Sequence, residues 1–187
     1  MQLETTRLLI RDFVESDLAA VYAYGSDPEV VRYMVFPPST LAGTREHIAR
    51  CMALAAEQPR CGYDMGIALR STGQIFGGIT LGVIDREQGE AAFSYLLNRA
   101  MWGQGYATEA LTEMLRFGFV QLGLQRIADS CDVENTASAR VMEKCGLRFE
   151  GERDGARLYA LTATEWREKK NRERAPEGST ENRAISG

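Results

Sequence analysis

Trp102-Gly103-Gln104-Gly105-Tyr106-Ala107-Thr108-Glu109-Ala110 joins a strand-like run ending at Leu97 to a segment whose Ala107, Ala110, Leu111, Met114, Leu115 and Gly118 recur on one helical stripe. Gly103 and Gly105 free the backbone where that helix begins. In such a turn several unpaired amide N–H groups converge on one point, and the helix dipole adds about half a positive charge, which suits a diphosphate without any lysine. Read alone, the turn is equally an ordinary glycine turn before a helix. Two common phosphate loops are excluded. A P-loop ends Gly-Lys-Ser/Thr where this one reads Gly-Tyr-Ala, and Thr108 stands where the dinucleotide fingerprint needs Gly or Ala. The turn also follows a hairpin strand rather than opening a parallel β-α-β unit.

Upstream, the pattern predicts strands at 63–70, 74–84 and 90–97, with links short enough to force antiparallel hairpins. Before them lie a strand at 3–11, a helix at 16–24, a second short helix started by Asp27-Pro28, and a longer helix at 40–57 after Pro37-Pro38. Downstream come a strand at 126–132, a helix at 136–145 stopped by Gly146, and a hairpin at 147–163.

Composition sets the outer limits. The 187 residues are 44% apolar and 26% charged, which fits one domain with a full core. Net charge is −4, offering no general attraction to nucleic acid or anionic lipid, so neither is expected as a partner. The longest uncharged stretch, 71–84, is too short to span a bilayer. Glu4, Arg7, Arg11 and Asp12 interrupt any secretory signal, and a cytoplasmic location is expected. Cys51, Cys61, Cys131, Cys145 and His47 lack zinc-ligand spacing; no metal is expected, and the thiols read as reduced and packed. Charge changes sign along the chain, from −6 over 1–166 to +2 over 167–187. Residues 1–171 read as the domain and 172–187 as a disordered charged tail.

A second chemical feature directly follows the 126–132 strand: Glu134-Asn135-Thr136-Ala137-Ser138-Ala139-Arg140. Asn135 suits an N-cap, and Ser138 one turn later suits a solvated first-turn serine. Both would equally face a ligand lying between two neighbouring strands. Trp102, Phe117, Phe119 and Tyr95 read as packing groups, with Tyr95 also able to line a pocket.

Taken together, these features resemble the GNAT (Gcn5-related) N-acetyltransferases, in the branch that includes the ribosomal-protein N-terminal acetyltransferases. The likeness spans about residues 3–166. It is carried by Thr6-Arg7-Leu8-Leu9-Ile10-Arg11, by Trp102–Ala110 and by Asn135-Thr136-Ala137-Ser138-Ala139-Arg140-Val141-Met142-Glu143-Lys144-Cys145-Gly146-Leu147. The family's Arg/Gln-x-x-Gly-x-Gly/Ala loop falls on Trp102, Gly103, Gln104, Gly105, Tyr106 and Ala107, with Trp102 departing from its first position. The resemblance implies an α/β fold with a mixed, mostly antiparallel sheet and a splayed strand pair that forms an acetyl-CoA cleft. Residues 102–108 and Asn135 would hold the coenzyme, with backbone groups near Leu96 and Leu97 beside its thioester. Many relatives protonate the leaving thiolate with a tyrosine where this chain has Met142; in the ribosomal branch a serine does so, and it matches Ser138.

The base is less defined. Glu90, Glu152 and Asp154 are acids able to reach an amine through water, although each also reads as a solvated hairpin charge, and the strand glutamate of other relatives corresponds to Ala92. An α-amine near pKa 8 needs little help at neutral pH, whereas a lysine near 10.4 costs ~4 kcal/mol to deprotonate. That favours a protein or peptide N-terminus as acceptor. Two alternatives stand beside it: acetylation of a small amine such as a polyamine, amino acid or aminoglycoside, and a non-catalytic acyl-CoA-binding module. The acceptor would sit between the 16–57 helices and the last hairpin. Monomer and homodimer are both compatible with the sequence.

Overall fold

Short links at 70–74 and 86–89 leave the strands they join no arrangement but hairpins. The computed structural model describes residues 1–174. In chain order they form β1 (Gln2–Glu4), β2 (Leu8–Asp12), α1 (Leu18–Gly25), α2 (Leu41–Ala56), β3 (Gly62–Leu69), β4 (Ile75–Asp85) and β5 (Glu90–Leu97). These are followed by α3 (Tyr106–Arg116), β6 (Arg126–Asp132), α4 (Thr136–Cys145), β7 (Arg148–Arg153), β8 (Ala156–Thr162) and α5 (Ala163–Arg174). The strands make one eight-stranded sheet in the order β1-β2-β3-β4-β5-β6-β8-β7. All neighbours are antiparallel except β5 and β6, which run parallel because α3 carries the chain back between them.

The parallel pair is joined only at its start, through Glu90↔Arg126, Ala91↔Ile127 and Ala92↔Ala128. Past that point each strand follows a different neighbour. β5 stays in register with β4 as far as Gly77↔Leu97, and β6 stays with β8 as far as Asp132↔Ala156. Gly77 makes the departure possible: a Cβ there would lie 2.5 Å from the Leu96 carbonyl oxygen and 2.5 Å from Leu97 Cδ2. Only glycine lets β5 lean so closely onto β4, and the result is a wedge between β5 and β6.

The two sheet faces are covered differently. Leu81, Phe93, Ile127 and Leu161 pack with Leu111, Met114 and Leu115 of α3 and Met142 of α4. On the opposite face Val21 and Tyr24 of α1 and Ile48 and Cys51 of α2 cover Phe13, Ala68 and Ile75. Each fully buried aliphatic side chain contributes about 1.5–3 kcal/mol, which is what holds the helices to the sheet.

Three expectations are corrected. The 3–11 strand breaks into β1 and β2, paired through Leu3↔Ile10, because Thr5 N–H donates to Leu8 O (3.0 Å) and its hydroxyl accepts from Leu8 N–H (2.9 Å), closing a turn. Asp27-Pro28 starts no helix; Val30 and Val31 donate to Asp27 O, but Val30 and Val31 are drawn into the core and the segment continues as turns, too short to propagate. The third concerns the end of the domain, where α5 follows β8. Thr162 and Glu165 form its capping box, with Glu165 Oε2 accepting from Thr162 N–H (2.9 Å) and Thr162 Oγ1 from Glu165 N–H (3.3 Å). Trp166 then buries against Phe119, ring centroids 5.8 Å apart. Residues 172–174 therefore belong to a helix and not to a disordered tail, and the remainder of that expectation falls outside the described residues.

Candidate active site

The loop after β5 is built by its own side chains. Asn98 Oδ1 accepts from Ala100 N–H (3.0 Å), the Trp102 indole N–H donates to Leu97 O (2.8 Å), and Gln104 Nε2 donates to Ala100 O (3.0 Å). Gly103 and Gly105 adopt φ of 72° and 80°, conformations that side-chain-bearing residues rarely take. The first intrahelical bond of α3 runs from Glu109 N–H to Gly105 O (3.0 Å), so the N–H groups of Tyr106, Ala107 and Thr108 precede it and point out of the helix end. Residues 102–105 are exposed. Thus Trp102, Gly103, Gln104, Gly105, Tyr106, Ala107 and Thr108 form one anion-suited cradle, with Trp102 pinning the loop to β5 by its side chain.

The cradle stands at the open end of the wedge. Asn98 N–H donates to Phe76 O (2.7 Å) across β4, so by antiparallel alternation the main-chain groups of Leu96 also face β4, and its carbonyl lies against Gly77. Those of Tyr95 and Leu97 face the wedge, while Phe93 N–H still belongs to the last rung of the parallel ladder with Ala128. Leu96, expected beside a ligand, is therefore turned away; Leu97 faces the cleft, although its carbonyl is taken by the Trp102 indole.

Across the wedge, Asn135 caps α4 by accepting from Ser138 N–H (3.1 Å). The Ser138 hydroxyl meets the Tyr95 hydroxyl at 2.9 Å, so one hydrogen bond spans from β5 to α4. Burial pushes the Tyr95 phenol above its ordinary range, the Ser138 bond pulls it partly back, and Cys145, Cys131 and Asp129 push it further up, so the phenol stays protonated. Tyr95 was not among the expected catalytic residues; its place in the Ala91, Phe93, Tyr95, Leu97 alternation was the available signal. Met142 lies in the core, only 1% exposed.

None of the three expected acids reaches this cleft. Glu90 opens β5 at the closed end, about 23 Å of strand from Leu97, where the parallel pairing is intact. Glu152 lies on the edge strand β7, where Arg157 Nε donates to it (3.2 Å), two strands away from Cys131. Asp154 sits in the β7–β8 turn with φ of 53°. The carboxylate that does stand at the wedge is Asp129, the first residue beyond the Ala92↔Ala128 pair, on the same strand face as Ile127 and Cys131. Burial pushes its carboxyl up to about 6, only partly opposed by the Ser130 N–H (2.8 Å). An acid interrupting the Ile127–Cys131 alternation was its signal in the sequence.

Beyond the end of β5 the wedge is bounded by the turns between α1 and α2. Arg99 pairs with Asp27 (3.4 Å), and Met34 and Leu96 both pack on the α1–α2 core, which fixes that segment beside the end of β5. Val35 and Phe36 remain exposed there. A separate hollow of about 280 Å³, lined by Leu18, Arg45, Ile48 and Met52 among others, shares no residue with the cleft.

A family model for the acetyltransferase (GNAT) domain matches residues 7–148, taking in the loop, both splayed strands and α4. The chain belongs to the GNAT acetyltransferase family. Among its curated relatives, the uncharacterized N-acetyltransferase p20 of Bacillus licheniformis is 33% identical over 150 residues, which cover 80% of this chain and 83% of that protein. A GNAT-family acetyltransferase of Bacillus anthracis superposes with a TM-score of 0.77 at 29% identity, over 88% of this chain and 99% of that one. The fold is also that of a ribosomal L7/L12 α-N-protein acetyltransferase in complex with coenzyme A, with a TM-score of 0.75 at 20% identity, over 87% of this chain and 98% of that one. The chain is an acetyl-CoA-dependent N-acetyltransferase of that family.

Proposed function

We propose that this GNAT enzyme acetylates the α-amine of a protein or peptide N-terminus. The observation that carries the reading is the chemistry of the cleft: burial pushes the Asp129 carboxyl at the splay up to about 6, and Glu90, Glu152 and Asp154 lie elsewhere. A base of pKa about 6 takes a proton from an α-ammonium near 8 for about 3 kcal/mol, but from a lysine near 10.4 for about 6 kcal/mol. The low-pKa amine is the better matched acceptor. The exposed Val35 and Phe36 beside the β5 end, and a shared fold with the L7/L12 α-N-acetyltransferase, support a peptide-sized acceptor.

Residues 103–108 would hold the coenzyme's diphosphate on the free N–H groups of α3, and Asn135 would border the cleft at the start of α4. Acetyl-CoA supplies the acetyl group as a thioester, whose oxygen gains negative charge as the amine attacks. An N–H of Tyr95 or Leu97 turned into the wedge would stabilise that charge by about 3–4 kcal/mol if it acts like other oxyanion donors. Ser138 donates its hydroxyl hydrogen to the departing sulfur. With Tyr95 as donor in the bond between the two hydroxyls, that hydrogen is left free to point into the cleft. Asp129 accepts the amine proton through water.

An acceptor panel followed by release of free thiol tests the proposal. Peptides with free N-termini are expected to exceed N-blocked lysine peptides, polyamines, amino acids and aminoglycosides by at least about tenfold in kcat/KM. Preference for a small amine would overturn it.

A further inference from the structure

One part of the sequence singled out above has no role in that chemistry: the Thr6-Arg7-Leu8 turn between β1 and β2. It lies against the coenzyme loop. Arg7 Nε donates to Glu109 Oε2 (2.6 Å), its main-chain N–H donates to Glu109 Oε1 (2.9 Å), and Thr5 Oγ1 donates to the same oxygen (2.6 Å). Arg7 Nη1 donates to Gln104 O (3.0 Å), and the guanidinium carbon lies 4.4 Å from the centroid of the Tyr106 ring. Nη2 lies 3.5 Å from where a Cβ on Gly105 would be, and no acceptor among the described residues is bonded to it.

Charge gives this placement its meaning. Between Ala100 and Leu115 there is no lysine or arginine, while Glu109 puts a negative charge in the first turn of α3. Burial would raise the Glu109 carboxyl, but hydrogen bonds from Thr5 and Arg7 outweigh it and hold the group below the usual carboxylate range, so it is ionised. A diphosphate would meet that anion with only backbone dipoles to offset it. Trp102, whose indole is committed to Leu97 O, offers no cation either.

We propose that Arg7 is a coenzyme-binding residue: it completes the diphosphate cradle from a different part of the chain, fixing the loop through Gln104 O and offering Nη2 to a phosphate oxygen. Glu109 positions the guanidinium, and the 5–8 turn positions both.

The test measures calorimetric affinity for coenzyme A and for dephospho-coenzyme A, which keeps the diphosphate, and kcat/KM with acetyl-pantetheine, which lacks it. Arg7→Gln is expected to weaken both nucleotide ligands by about 10- to 100-fold, the loss of one charge-assisted hydrogen bond, and to leave acetyl-pantetheine turnover within about twofold. Thr5→Val, which loosens the same corner without removing the guanidinium, is expected to weaken the same two ligands by no more than about threefold. Equal losses with all three ligands, a loss confined to coenzyme A, an unchanged Arg7→Gln, or a Thr5→Val as weak as Arg7→Gln would each overturn the assignment.

Discussion

The two halves of the β5–β6 pair share a sheet and differ in nearly everything else. At residues 90–92 and 126–128 the strands are joined in parallel register, while the halves that follow are joined only to their outer neighbours. The closed half has its backbone polar groups satisfied by sheet pairing, which is the condition for burial. The open half leaves main-chain groups of Tyr95 and Leu97 without a strand partner in β6 and gathers Tyr95, Ser138 and Asp129 around the gap. A ligand that supplies the missing strand-like partner belongs in the second half and has no place in the first.

The largest expected effect is on the open half's chemistry. Ser138→Ala should lower kcat by about 100-fold, the lower range for losing a positioned proton donor, while calorimetry finds coenzyme A affinity within about twofold of wild type. An unchanged kcat would remove Ser138 from the reaction. Gly77→Val attacks the wedge itself, since its added atoms meet the Leu96 carbonyl; urea unfolding should record a loss of about 2–3 kcal/mol, together with weaker coenzyme binding.

Tyr95→Phe sharpens the comparison on a smaller scale. It keeps the packing and removes the hydroxyl that meets Ser138, so kcat should fall about tenfold with KM for acetyl-CoA little changed.

Asp129 gives a stability signature with a definite sign. Its carboxyl titrates at 3.8 in the ordinary state and at about 6 in the fold, so the native form binds the extra proton between those values. Below about pH 4 the group is protonated in both states and costs nothing. As pH rises toward 6 stability declines, and above 6 the full cost of an ionised half-buried carboxylate remains. Asp129→Asn should therefore stabilise the fold at pH 8 by about 1–3 kcal/mol and leave it unchanged at pH 4. The smallest effect belongs to the closed half: Glu90→Gln should leave kcat/KM within about twofold.

Much of this contrast was legible before the structure. Hairpin links, the Gly103–Gly105 turn and the Asn135 and Gly146 caps are local, and local chemistry is what a single sequence carries. What was missed depends on register. Glu90 is close to the 103–108 loop in the chain, but parallel pairing puts the start of β5 at the sealed end. Tyr95 meets Ser138 across 43 residues, a contact set only when α3 returns the chain beside β5. Leu96 and Leu97 look alike as residues, and only strand alternation decides which one faces the gap. The α5 helix is a different kind of omission. Its Thr162-Ala163-Thr164-Glu165 capping box is local in the sequence, but the polar residues after Trp166 carry no apolar stripe that would extend a helix.

A crystal structure with coenzyme A bound tests the division of the strand pair most directly. The account predicts the diphosphate on the N–H groups of Tyr106, Ala107 and Thr108, and the sulfur arm between β5 and β6 within hydrogen-bond reach of Ser138, with 90–92 still joined to 126–128. Coenzyme lodged elsewhere, such as in the hollow between α1 and α2, with the wedge empty, would contradict it.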